Sequence, residues 1–223
     1  MRIHPLRQRL LTPAAHDLRF LLSRGYPRDS AIGFVGDHFQ LSREERDLLF
    51  RGVFTREQNR ARKAKMGAVR ELAGARLVID GHNVLITLES ALRGRPLLMA
   101  SDGVVRDISR VFRRFRPTER TRTAWRMVER LLTDYPPVHV TVILDAPLPK
   151  SGELAARINR WMDQAGIAGE AAAETRPETA ILRLQGIKAT ADSIIIDRSR
   201  RVFDLAGHII RKRMRAGIIH LPA

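Results

Sequence analysis

Cysteine is absent from the 223-residue chain, which excludes disulfides and any thiolate metal site, zinc held by cysteine included. No apolar stretch approaches the length of a membrane span. The apolar positions of the amino terminus are broken by Arg7, Arg9 and Asp17, so a signal peptide is not expected either. The expectation is a soluble, cytoplasmic protein without a membrane partner. Aromatic residues are scarce, at 5%, and most of them read as core, so base stacking is a weaker expectation than phosphate contact. Acidic residues are outnumbered, 24 against 40 basic, and the resulting charge of +16 favours a polyanionic partner, with RNA or another nucleic acid foremost. Lysine is rare as well, confined to Lys63, Lys65, Lys150, Lys188 and Lys212. An arginine-dominated surface suits bidentate phosphate recognition, although a GC-rich genome explains the arginine and alanine content at least as well.

The length accommodates one well-buried core and an extension. Residues 1–72 read as an amino-terminal helical domain. Leu18, Leu21 and Leu22 recur at helical spacing before the Gly25-Tyr-Pro27 break, and Ser42-Arg-Glu-Glu45 and Thr55-Arg-Glu-Gln58 are capping boxes. Residues 73–223 change to alternating strands and helices, the pattern of an α/β domain with a mostly parallel sheet flanked by helices. Strands are expected near 76–80, 138–144, 186–190 and 201–204, with a short one around 171–174. Helices are expected near 103–115, 119–134, 152–165 and 205–215.

Three of these strands end on an aspartate: Arg76-Leu-Val-Ile-Asp80-Gly, Val138-His-Val-Thr-Val-Ile-Leu-Asp145, and Gly186-Ile-Lys-Ala-Thr-Ala-Asp192. Parallel strands bring their carboxyl ends to one edge, where open α/β folds bind ligands. Three converging carboxylates repel one another unless a cation offsets the charge. Oxygen-only ligands suit Mg²⁺ or Mn²⁺, and a hard cation near a phosphodiester assists its hydrolysis. For any one aspartate alone the commoner role is helix N-cap, since its side chain accepts an N–H of the next turn. Three at equivalent strand ends shift the balance toward a metal cleft.

The combination of Val78-Ile-Asp80-Gly-His-Asn83-Val-Leu, Leu144-Asp145-Ala and Ala189-Thr-Ala-Asp192-Ser resembles the PIN-like nuclease superfamily, especially its NYN branch. The whole chain is similar to an uncharacterised prokaryotic family that joins a helical domain of unknown function to a PIN-like domain. The segments from Asp17 to Pro27 and from Leu48 to Phe54 carry the amino-terminal half of that match. The resemblance implies metal-ligand roles for Asp80, Asp145 and Asp192, and a substrate- or water-orienting role for Asn83. Asp197 is a candidate fourth acid. Glu89, Asp102 and Asp107 compete for the acid that many PIN nucleases carry between the first two ligand strands.

Lys150, at the start of a helix after the second aspartate, is a candidate phosphate contact, with Glu153 a weaker ligand candidate and a capped helix start the simpler account. His82 is read as structural and Asp204 as a cap. Arg106, Arg110 and Arg113 fall on one side of the expected helix at 103–115 and are candidates for a backbone-tracking stripe, although a charge run is usually a solvated face. Arg60 to Lys65 and Arg211 to Arg215 are the other basic runs. The expected activity is a Mg²⁺- or Mn²⁺-dependent ribonuclease. The alternative is a nucleic-acid-binding or regulatory module of the same fold without efficient cleavage. A regulatory protein partner fits either reading, and oligomeric state has no signal in the sequence.

Overall fold

The computed structural model describes residues 5–109, 115–214 and 216–221. The chain begins with four helices, α1 (Pro5–Ser23), α2 (Arg28–His38), α3 (Arg43–Gly52) and α4 (Arg56–Lys65). Both capping boxes form: the Ser42 hydroxyl accepts the Glu45 N–H while the Glu45 carboxylate accepts the Ser42 N–H, and Thr55 and Gln58 repeat the exchange. Each box satisfies two donors that a helix start leaves without intrahelical partners. Leu11, Leu18, Val35, Leu48 and Leu49 pack together as the core of these helices.

The rest is an α/β unit: β1 (Arg76–Asp80), α5 (Gly81–Leu92), β2 (Leu97–Met99), β3 (Val105–Asp107), α6 (Glu119–Asp134), β4 (His139–Asp145) and α7 (Ser151–Gln164). It continues through β5 (Gly169–Glu174), α8 (Pro177–Arg183), β6 (Ile187–Ala189), α9 (Ser193–Arg198), β7 (Val202–Phe203), α10 (Leu205–Arg213) and β8 (Ile218–His220). The main sheet runs β5-β4-β1-β6-β7, and every pairing in it is parallel. The expected α/β class with a helical amino terminus is what the chain adopts.

Strand alternation sorts the two faces of the sheet. Leu77, Ile79, Val140, Val142 and Leu144 turn to the main core with α5, α6, α7 and α10, where Trp125 is fully buried. Val78 and Ile143 turn the other way, onto Ile181 of α8 and Ile195 of α9. Burial on both faces is why these strands read as continuous apolar runs in the sequence.

A second, three-stranded sheet, β3-β2-β8, lies between this core and the helices. In β2, Leu97 belongs to the main core while its neighbour Leu98, together with Leu221, completes the core of α1–α3. Gly52 is what lets them close: a Cβ there would stand 2.4 Å from Leu221 and 2.9 Å from Leu98. The helical region is therefore roofed by the small sheet, to which Leu98 of β2 and Leu221 just beyond β8 contribute.

This small sheet corrects one expectation. Val105–Asp107 is strand, not the start of a helix at 103–115, and Arg106 pairs across to Leu98 in antiparallel register. The Arg106 side chain is buried and bidentate to Asp102, so it is no part of an exposed phosphate-tracking stripe. Arg110 and Arg113 lie outside the described residues.

Candidate functional site at the carboxyl edge of the sheet

Two strands diverge at the centre of the sheet. The chain leaving β1 next enters the sheet at β4 on one side, whereas the chain leaving β6 goes to β7 on the other. The gap between β1 and β6 is thus the topological switch point, where open sheets form a crevice at their carboxyl edge. Register fixes what lines it. Asp80 pairs with Ile143, so Asp145, two residues on, shares its face, overhanging by about 7 Å at strand rise. Ile79 pairs with Ala189, which brings Thr190 level with Asp80 and Asp192 two residues beyond.

The Thr190 hydroxyl donates to Asp80 Oδ2 at 2.8 Å and its oxygen accepts the Asp192 N–H at 3.0 Å. Asn83 Oδ1 accepts the Ala191 N–H at 2.9 Å. Asp192 Oδ1 accepts from the amides of Ile194 and Ile195, capping α9 and leaving Oδ2 outside those bonds. Burial, helped by the charges of Asp192 and Asp145, lifts the Asp80 carboxyl to about 7, against the hydrogen bonds from Thr190 and the Asn83 backbone that favour its anion. Burial raises Asp145 as well. Asp80 therefore feels the charges of the two other strand-terminal carboxylates. The three overhang at different heights, and among the described residues no group of three or more His, Asp or Glu side chains is placed to hold a metal ion.

Two neighbours shape the crevice. Gly81 must be glycine, because a Cβ would stand 2.7 Å from Leu144, 2.9 Å from Val142 and 3.1 Å from the Ile143 carbonyl, where β1 turns into α5 against β4. His82 is buried, packs edge-on to Phe115, and accepts the Asp145 N–H on Nδ1 at 2.9 Å. Burial pushes it down to about 4, so it is a neutral anchor for the end of β4, the structural role expected of it.

The remaining acids have cationic or local partners. Asp197, the candidate fourth ligand, gives both oxygens to Arg62, at 2.6 and 2.7 Å, and belongs to the α4–α9 contact. Glu89 accepts from Thr121 and Arg93, Asp107 from Ser109, and Glu153 faces Lys150 at 3.7 Å. Lys150 has a left-handed backbone at the start of α7 and an exposed side chain. Asp204 caps α10 through the Gly207 amide and pairs with Arg211.

One feature had no sequence signal. Arg62 and Arg106 both bond the fully buried Asp102, and Arg106 Nε donates to the Ala191 carbonyl at 3.0 Å. Burial alone would raise Asp102, but Arg106 and Arg62 hold it below the usual carboxylate range. The Ala191 peptide is consequently gripped from both ends, by Asn83 at its own N–H and by Arg106 at its own carbonyl. The charged chain from α4 through Asp102 to this peptide ties the helical region to the loop that carries Asp192.

The family described as a domain of unknown function (DUF5616) matches residues 69–208, and the family described as a protein of unknown function (DUF434) matches residues 10–65. The chain is similar to Uncharacterized protein MJ0935 of Methanocaldococcus jannaschii, at 31% identity over 199 residues, covering 88% of this chain and 95% of the relative. No solved structure matches. Among the described residues no helix is long and apolar enough to cross a membrane. With more than half its length matched by the first of these descriptions, the chain belongs to the DUF5616 family.

Proposed function

We propose that the crevice between β1 and β6 hydrolyses phosphodiester bonds of RNA with the help of Mg²⁺ or Mn²⁺. The observation that carries this reading is a contrast between the buried acids and the partly buried ones at the sheet edge. Asp102, Asp204 and Glu89 each have an arginine, whereas no ion pair among the described residues involves Asp80, Asp145 or Asp192. Carboxylates left together without a cation, one of them lifted to about 7, form a site that gains from a divalent ion. The donors fit: Asp192 Oδ2 lies outside the hydrogen bonds described, Asp80 is a carboxylate oriented by Thr190 and the Asn83 backbone, and Mg²⁺ commonly takes one or two carboxylates with waters and phosphate oxygens completing its shell. When bound, the ion would supply Lewis acidity toward water and the scissile phosphate.

The chain's own residues then divide the work. Thr190 and Asn83 orient Asp80 and the Ala191–Asp192 peptide. Asp145, on the same face of the sheet, is placed to take a proton from the attacking water as its oxygen bonds phosphorus and the ribose oxygen leaves. Lys150, exposed at the start of α7, is the candidate for a phosphate contact. The net charge of +16 supports a polyanionic substrate. Two observations favour the second reading, binding without cleavage: Asp192 already serves as a helix cap, and among the described residues no three-ligand cluster is assembled.

Mn²⁺ should raise the melting temperature of the parent, because an ion bound only by the folded state shifts unfolding by mass action. Asp192→Asn should lose most of that shift, and a mutant response equal to the parent's reassigns Asp192 to capping alone. Cleavage of a labelled oligoribonucleotide by the parent, absent in Asp80→Asn, separates the enzyme from the binding module.

A further inference from the structure

A second polar pocket lies on the same face of the main sheet as Asp80 and Asp145, at the opposite, amino-terminal end of the strands. β1 starts with Arg76 and β4 with His139, and the two are partners in parallel register, as are Val78 and Thr141. Side chains of alternate residues share a face, so Arg76 and Val78 fall with His139 and Thr141 on the side covered by α8. The end of α8 completes the enclosure with Arg183, Leu184 and Gln185, giving a half-open pocket of about 240 Å³. Gly186 brings that turn against β1: its φ is +118°, and a Cβ there would collide with the Arg76 carbonyl.

The lining carries two guanidinium groups, an imidazole, a hydroxyl and an amide, and no acid. No ion pair among the described residues involves Arg76, His139 or Arg183. Lys188 adds to the charge. It is the next residue across the sheet in the row of Thr141 and Val78, and its buried ammonium donates to the carbonyl of Leu184, which lines the pocket. Burial lowers Lys188, and no carboxylate among the described residues pairs with it. Neutralising the carboxyl end of α8 accounts for Lys188 and for Arg183 in the last turn of that helix. It does not account for Arg76 and His139, which two separate strands deliver to the same pocket. Asp80 lies four residues along β1 from Arg76, about 13 Å at strand rise, and the apolar contact of Val78 and Ile143 with Ile181 and Ile195 occupies the face between. The pocket is therefore separate from the carboxylate crevice.

We propose that Arg76, His139, Thr141, Arg183 and Gln185 bind a phosphate monoester, with the Lys188 ammonium behind them. Such a group carries about 1.5–2 negative charges and three strong acceptor oxygens, which suits donors converging from different elements, whereas a carboxylate offers a single charge and fewer oxygens. A pocket of about 240 Å³ falls below the roughly 300–1,000 Å³ usual for drug-sized ligands, so it suits the phosphate and a sugar attached to it. A free sugar phosphate and the phosphorylated end of a nucleic-acid strand present the same group. The inference stands apart from the crevice reading and requires no metal.

The test is isothermal titration calorimetry on the full-length chain with inorganic phosphate and ribose 5-phosphate at constant ionic strength, without divalent ions, so that failure here leaves the crevice reading untouched. Arg76 and Arg183 are exposed, so Arg76→Gln and Arg183→Gln leave the fold intact, and each should weaken binding of both anions by about ten-fold. Arg130→Gln, which removes the same charge from the exposed side of α6, should leave both affinities within about two-fold of the parent's. Equal weakening by Arg130→Gln means that the anions answer only to the net charge of +16 and overturns the proposal, as does the absence of saturable binding in the parent. An oligoribonucleotide with a terminal phosphate, compared with its hydroxyl-ended counterpart, separates the two sources. A preference for the phosphate that Arg76→Gln abolishes assigns the pocket to a strand end, and equal binding of the two, with ribose 5-phosphate held, assigns it to a free sugar phosphate.

Discussion

Asp80→Asn is expected to stabilise the protein at about pH 8 in the absence of divalent ions, by on the order of 3 kcal/mol, or roughly 6–12 °C in melting temperature for a chain of this size. The sign follows from the direction of the shift. The Asp80 carboxyl titrates near 7 in the folded chain and near its usual 3.8 unfolded, so the folded state holds the proton more tightly. Its contribution is therefore largest below about pH 4 and is lost as pH rises toward about 7, after which folding must carry a buried, uncompensated anion. Asparagine keeps an oxygen for the Thr190 hydroxyl and removes the charge. His82 acts in the opposite sense over part of the same range: it is neutral in the fold down to about 4, so its stabilisation is present above 6.5 and lost on acidification. In the parent the two slopes partly cancel between about pH 4 and 6.5. In Asp80→Asn the His82 slope is no longer opposed by Asp80, so between about pH 4 and 6.5 stability rises more steeply with pH than in the parent. Chemical denaturation of both chains across pH reads the difference, and a mutant no more stable than the parent at pH 8 means that Asp80 is better solvated than its setting implies.

Asp102→Asn is expected to cost about 3–5 kcal/mol, the usual penalty for leaving a buried charge without its partner, here two guanidinium groups at once. Arg62 retains Asp197, but Arg106 retains only the Ala191 carbonyl. Freed from its carboxylate, Arg106 loses its fixed orientation and its hold on the loop. Amide exchange at residues 190–195 should accelerate beyond what the loss of global stability explains, and the melting shift produced by Mn²⁺ should shrink although no proposed ligand has changed. Lost stability with unaltered exchange at 190–195 would confine this network to packing between α4 and the α/β unit.

The strands β1, β4, β6 and β7 were legible because buried apolar residues mark them in the sequence, and the capping boxes of α3 and α4 were legible because their chemistry is local; β5 was only partly legible, because it is an edge strand in which Ala171 alone is buried. The placement of Asp80, Asp145 and Asp192 at one edge followed from strand direction alone. Their differing heights did not, since register depends on which residues pair. The small sheet was not legible. Strands of three residues have too little periodicity, and β2 pairs with β8 more than a hundred residues later. Arg106 illustrates the cost: its arginine neighbours at 110 and 113 mimic a helical stripe, while its actual partner is Asp102 and its neighbour in register is Leu98. The exposure of Phe20 was not read from the sequence. Leu18, Leu21 and Leu22 define the buried stripe of α1, and Phe20 falls off it, so its exposure follows from spacing that aromatic character obscures.

The central claim, that the carboxylates at the β1–β6 gap take up a hard divalent ion, is tested most directly by titrating Mn²⁺ into the metal-free protein calorimetrically at about pH 7 in two buffers of different ionisation enthalpy. An ion binding beside a carboxyl that titrates near 7 displaces its proton, so the parent should release about half a proton per ion, falling toward none by about pH 9. Asp80→Asn should show neither the proton release nor saturable binding. Binding of Mn²⁺ to the parent without proton release, or equal binding by Asp80→Asn, would contradict the account.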